Sequence, residues 1–199
     1  MRPHIKNPHA NNPFKVAMRE LPASRRIEVS SAFVAEAVKG LPLRDALDGD
    51  DVTGGDGGTA ELELTEAGEN VYAQGSVTGA ITVACSRCVS PVAVRFDEPV
   101  RVTYVPAHAM PADDVAPTDE ELELAQDDLD VYPHDGETVD LEPLVREQFV
   151  LAVPFAPLCR EDCLGLCPQC GSDRNHTPCV CEKPIDPRFV ALQGLKLPS

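Results

Sequence analysis

Eight cysteines dominate the chemistry available to this sequence. Cys85-Ser-Arg-Cys88 stands alone near the middle of the chain, and Cys159, Cys163, Cys167, Cys170, Cys179 and Cys181 crowd together near its end. A two-residue spacer lets both sulfurs of one tight turn reach the same ion, and Zn²⁺ takes four thiolates tetrahedrally at about 2.3 Å. Two such turns plus four further cysteines supply enough ligands for two four-cysteine sites, so one or two structural zinc ions are expected. Gly171, directly after Cys167-Pro-Gln-Cys170, is free to adopt a positive φ and turn backbone N–H groups toward sulfur. The preferred partition groups Cys85 and Cys88 with Cys159 and Cys163, and Cys167 and Cys170 with Cys179 and Cys181; other partitions stay open. His176 lies inside the second set and could replace one cysteine, but reads as a solvated loop residue.

Rival chemistries fit less well. A disulfide framework requires export, and the N-terminal residues lack the apolar stretch of a secretory signal. A thioredoxin-type pair needs its Cys-x-x-Cys to open a helix, whereas Cys85 and Cys88 sit in strand-like text. A catalytic zinc keeps an open position and usually takes His or carboxylate ligands. Hydrolase elbows, zinc-protease helices, phosphate loops and dinucleotide fingerprints are all missing, so no enzymatic activity is expected. His4, His9, His108 and His134 read as solvated surface residues.

Charge narrows the choice of partner. The 199 residues carry a net charge of −16, distributed as +5 over residues 1–44, −21 over 45–142 and zero over 143–199. A polyanion cannot coat nucleic acid nonspecifically, because binding neutralises phosphates with cations. Any RNA contact must be local, and Arg87, Arg95, Arg101, Arg160 and Arg174 are its candidates. A basic protein is the electrostatically easier partner. No run of 18 apolar residues occurs, so no membrane span is expected.

The elements that must position these groups follow from periodicity. Residues 1–23, rich in Pro, Asn and His, read as a disordered extension. Arg26–Val29 alternates like a strand, and Phe33–Val38 has helical spacing with Ser31 as N-cap. Strand-like alternation recurs over 60–65, 71–78, 80–84, 92–96 and 99–105, with a hairpin loop at 66–70. These strands predict an antiparallel meander of four or five strands. Residues 48–58 and 106–136 read as acidic loops, the second with a short strand around Leu122 and Leu124. Asp140 caps a helix whose Leu141, Leu144, Val145 and Phe149 line one face, with Pro143 in its first turn. No internal repeat stands out. The fold class is therefore α+β: an antiparallel sheet over 24–158 with one main packed helix, a small Cys-rich zinc lobe at 159–183, and a tail from 184 to 199.

Cys85-Ser-Arg-Cys88, the helix Leu141-Glu-Pro-Leu-Val-Arg-Glu-Gln148, Val153-Pro-Phe-Ala-Pro-Leu-Cys159 and Gly165-Leu-Cys-Pro-Gln-Cys-Gly171 together resemble the YceD-type proteins, known as large ribosomal RNA subunit accumulation proteins. The likeness covers roughly residues 25–183 and is similar to the high-GC Gram-positive form that carries the full cysteine set. The resemblance implies a cytoplasmic factor that supports 23S ribosomal RNA accumulation, through synthesis, processing or protection of that RNA. An acidic adaptor or holdase for a basic ribosomal protein, without direct RNA contact, is the alternative reading. The oligomeric state is not legible.

Overall fold

The computed structural model describes residues 12–47, 56–110, 131–181 and 188. The expected strand at Leu122 and Leu124, the termini 1–11 and 182–199 apart from Arg188, and most of the 48–58 loop lie outside the described residues.

The architecture is α+β. Among the described residues it has seven strands in chain order: β1 (Lys15–Ala17), β2 (Ala23–Val29), β3 (Gly57–Ala67), β4 (Asn70–Ala84), β5 (Pro91–Pro106), β6 (Val131–His134) and β7 (Thr138–Asp140). Three α-helices accompany them, α1 (Ser31–Ala37), α2 (Pro42–Asp45) and α3 (Glu142–Leu151), with short 3-10 turns at Met18–Glu20 and Ala107–Ala109. The main sheet has the order β2-β3-β4-β5-β6, and β1 and β7 form a separate antiparallel pair. The meander is antiparallel from β2 to β5, but β6 lies parallel to β5. The four segments expected between 71 and 105 are in fact two long strands, β4 and β5, paired continuously from Val71↔Tyr104 to Ala84↔Pro91. Their glycine and proline interruptions sit within the ladder instead of ending it.

Alternation fixes the two faces. Ala60, Leu62 and Leu64 of β3 are buried while Glu61, Glu63 and Thr65 are exposed, as expected of a sheet with one solvated face. The covered face packs beneath α3, whose Leu144, Val145 and Phe149 are all buried. Phe149 stands edge-on to Phe96 of β5, ring centroids 5.0 Å apart. That fit depends on Gly79, where a Cβ would come within 2.8 Å of both rings. Helix α1 packs beside α3, with the Arg146 guanidinium 5.3 Å from the Phe33 ring centre. Its cap is Ser30, whose hydroxyl accepts the Phe33 N–H at 3.3 Å, one residue before the expected Ser31. Asp140 accepts the Glu142 N–H at 3.0 Å, at the start of α3 as expected.

Three expectations change. Part of the supposed N-terminal extension is ordered: Val16 is fully buried, and β1 pairs with β7 in the register Val16↔Val139. The apolar Phe14 and Val16 give this segment something to bury despite its Pro-rich surroundings. Asp56, assigned to an acidic loop, is buried against Arg44 at 2.7 Å and accepts the Thr82 hydroxyl at 2.7 Å. Arg44 also donates to the Thr82 carbonyl, so α2 is tied to β4. His134 is buried, not solvated. Its Nδ1 accepts the Gly136 N–H at 3.0 Å, so its Nε2 donates to the Glu69 carbonyl at 2.9 Å.

Candidate metal centres

One six-residue pattern, C-x-x-C-x-S, occurs twice with one geometry. Cys85-Ser-Arg-Cys88-Val-Ser90 and Cys167-Pro-Gln-Cys170-Gly-Ser172 each form a knuckle closed by two backbone bonds. In the first, the Cys85 N–H donates to the Ser90 carbonyl at 2.8 Å and the Val89 N–H to the Cys85 carbonyl at 2.9 Å. In the second, Cys167 donates to Ser172 at 2.8 Å and Gly171 to Cys167 at 2.9 Å. The residue after the second cysteine is left-handed in both, with φ 64° at Val89 and 71° at Gly171. The repeat C-x-x-C-x-S is thus present in the sequence, although it is too short to stand out by composition.

Each knuckle gathers two more sulfurs. Cys85, Cys88, Cys159 and Cys163 form one group, Cys167, Cys170, Cys179 and Cys181 the other, and within each all ligand atoms lie within 4.8 Å of one another. This is the partition preferred from spacing. The separations are 3.9 Å for Cys85–Cys163 and 3.6 Å for Cys88–Cys159. In the second group they are 3.6 Å for Cys170–Cys179 and 3.3 Å for Cys179–Cys167. Four thiolates around zinc define a tetrahedron with edges of about 3.8 Å, whereas a disulfide requires about 2.05 Å. Both groups could hold a metal ion. His176 stands outside the second group and faces Asp173 at 3.6 Å.

The two sites differ in exposure. Cys85, Cys88 and Cys163 are buried with Val92 and Leu158 packed on them, leaving only Cys159 exposed. In the second site Cys167 is buried, Cys179 half-buried, and Cys170 and Cys181 exposed.

Local donors prepare the thiolates. Burial pushes the Cys85 thiol up, but backbone N–H groups of Arg87, Cys159 and Cys88 outweigh it and bring the group to about 6. The Ser172 hydroxyl and N–H bring Cys170 to about 6 as well. Partial desolvation of its sulfur, with the neighbouring Cys88 thiol, raises Cys159 to about 12, and the neighbouring Cys179 thiol raises Cys181 to about 12. Asn175, absent from the sequence-based candidates, donates its amide to the Cys163 sulfur at 3.4 Å. Its carbonyl accepts from Arg160 and the Leu164 backbone, both at 2.8 Å. Only its place inside the second loop hinted at this role.

The two centres are joined through Arg87. Its carbonyl accepts the Leu166 N–H at 2.9 Å, and its guanidinium donates to the Cys163 carbonyl at 2.9 Å. Ser86 donates to the Pro157 carbonyl at 2.8 Å as the chain leaving α3 crosses the first knuckle. Among the five candidate arginines, Arg87 and Arg160 therefore have internal partners, and Arg160 also lies 3.4 Å from Asp162. Arg174 is exposed in the lobe, while Arg95 and Arg101 project from β5 on the solvated face of the sheet. The structure does not bring the five into one patch.

Comparison with known proteins places this arrangement in context. Two uncharacterized mycobacterial proteins are similar: one of Mycobacterium tuberculosis, 34% identical over 132 residues (66% of this chain, 58% of the relative), and one of Mycobacterium leprae, 32% identical over 141 residues (70% and 59%). An uncharacterized protein of Bacillus subtilis is 27% identical over 122 residues, covering 60% of this chain and 63% of its own length. The chain therefore spans less than two thirds of the length of these relatives. No solved structure matches. The profile of the family described as Large ribosomal RNA subunit accumulation protein YceD matches residues 73–196, a span that takes in β5, α3 and all eight cysteines, and the chain belongs to that family.

Proposed function

We propose that this protein is a non-enzymatic cytoplasmic factor that supports 23S ribosomal RNA accumulation during large-subunit assembly, with its C-terminal lobe held by two structural zinc ions. The observation that carries the reading is the pair of four-sulfur groups inside a chain of this family. Zinc bound by four thiolates supplies a closed, redox-inert cross-link with no position open to substrate. Cys85 and Cys88 anchor the first centre on the β4–β5 turn, and Cys159 and Cys163 bring the segment after α3 to it. The segment 154–181 contributes few buried apolar side chains, so metal binding there acts as folding energy. Arg87 and Arg160 serve the inner structure of the lobe, which leaves Arg95, Arg101 and Arg174 as the leading contacts to RNA phosphates.

A second reading has its own support. With a net charge of −16, the chain complements a basic ribosomal protein better than it does RNA. The two are separable by binding. Arg101→Glu with Arg174→Glu removes RNA affinity in the first case, whereas neutralising the acidic residues between 113 and 130 removes protein affinity in the second. Depleting the protein in its host tests the shared conclusion. A selective fall in the 23S to 16S RNA ratio is expected, and an unchanged ratio excludes a role in 23S accumulation.

A further inference from the structure

Among the described residues, the sheet has a long unpaired edge. β5 runs from Pro91 to Pro106 and is paired along almost its whole length with β4, but β6 covers its other side only from Thr103 onward. Among the described residues, no strand pairs with β5 on that side between Pro91 and Val102. In an antiparallel ladder, alternate residues direct N–H and C=O toward the neighbour or away from it. Pro91 and Pro99, opposite Ala84 and Ser76, lack an N–H and suit the positions that point away. The same parity leaves Ala93, Arg95, Asp97 and Arg101 with both groups directed at the open edge. Natural edges are commonly guarded by proline and charge. Here the prolines bracket the segment, and of the charged residues between them Arg95 and Asp97 share the parity of the open edge.

We propose that this edge pairs with the β5 edge of a second copy of the chain, antiparallel, across a two-fold axis at Phe96. In that register Arg95 faces Asp97 of the second copy and Asp97 faces its Arg95, which gives two cross-strand ion pairs on the solvated face. Shifting the register by two residues in either direction sets Arg95 against Arg95 or Asp97 against Asp97. Opposite charges are thus matched in one register and opposed in both neighbours. On the covered face, Phe96 meets Phe96 at the axis, where the ring is half-buried in the single chain. Arg95 and Asp97 make no side-chain hydrogen bond or ion pair to other described residues, so the pairing breaks none. Ala93 donates to the Pro99 carbonyl of the second copy, and Pro99 withholds only the return bond. Each chain uses its edge once, so the contact closes as a dimer and does not propagate. A seam of one strand pair is small, which places it among weak, transient interfaces. Arg95 is then committed to the interface, and Arg101 and Arg174 remain for RNA.

The test is the mass of the full, metal-loaded chain by light scattering or sedimentation from about 1 to 100 μM, the range in which micromolar association is populated. The wild type is expected to rise from 21.4 kDa toward twice that value. Arg95→Asp and Asp97→Arg should each hold the chain at the monomer mass over the same range. The double variant Arg95→Asp/Asp97→Arg restores complementarity and should dimerise again. Far-UV circular dichroism establishes that each variant is folded, since both positions are exposed. A wild type that stays monomeric throughout overturns the proposal. So do single variants that dimerise like the wild type, or a folded double variant that remains monomeric.

Discussion

Val89 and Gly171 hold the same left-handed place in the two knuckles, yet one is β-branched and the other has no side chain. A left-handed L-residue costs about 1–2 kcal/mol, and a β-branched one is a genuine outlier there. Val89→Gly is therefore expected to raise the stability of the metal-loaded protein by about 1 kcal/mol, measured by thermal unfolding. Gly171→Val should lower it by a similar amount. A Cβ at Gly171 meets no atom within 4 Å, so that loss is backbone strain alone. The thiols make a separate prediction. Thiolates held by a closed metal site resist alkylation. Cys170 and Cys181, although exposed, should therefore be protected from iodoacetamide until chelation. Peptide mass spectrometry reads the labelling, and rapid labelling of the metal-loaded protein would contradict it. Metal retention should weaken as pH falls through about 6, where the thiolates of Cys85 and Cys170 take up protons, because protonated thiols do not bind. The cysteine partition was legible from spacing, because two-residue turns and short loops leave sulfurs few places to meet. Asn175 was not legible, since an amide that supports a thiolate is set by three-dimensional proximity and no spacing marks it.

Between elements, two contacts decide how the helices sit on the sheet. Gly79→Ala puts a methyl group against the Phe149 and Phe96 rings, and overpacking of this kind costs about 1–3 kcal/mol. Denaturant unfolding should show a lower midpoint with an unchanged slope. Asp56→Ala strands the buried Arg44 guanidinium between α2 and β4, a loss of about 3–5 kcal/mol. Asp56→Ala together with Arg44→Met should recover much of it, because both charges then leave the core. Helix α3 was readable from its apolar stripe, and β2 and β3 from strict alternation. The long β4 and β5 were harder, since Gly75, Gly79 and Pro99 look like breaks until a neighbouring strand is seen to hold them. Strand β6 carried almost no signal. It is four residues long, contains Pro133, and is a strand only because β5 offers it an edge.

For the molecule as a whole, the core and the lobe rest on different forces. The sheet, α1 and α3 share one apolar core, whereas the segment 154–181 depends on its eight-sulfur framework. Chelation should therefore expose residues 154–181 to protease and hydrogen exchange while β2–β5 and α3 stay protected, and simultaneous loss of both would contradict this division. The mixed charge distribution was plain from the sequence, but the ordering of residues 14–17 was not, because their partner strand lies more than a hundred residues away. That same β1–β7 pair sets a clock on biosynthesis. Ala17 leaves the ribosome long before Thr138 exists, and at usual elongation rates the delay is roughly 6 to 25 s. During that interval Val16 of every nascent chain lacks its partner strand, and a chaperone that samples apolar N-terminal segments has time to meet it before the strand closes.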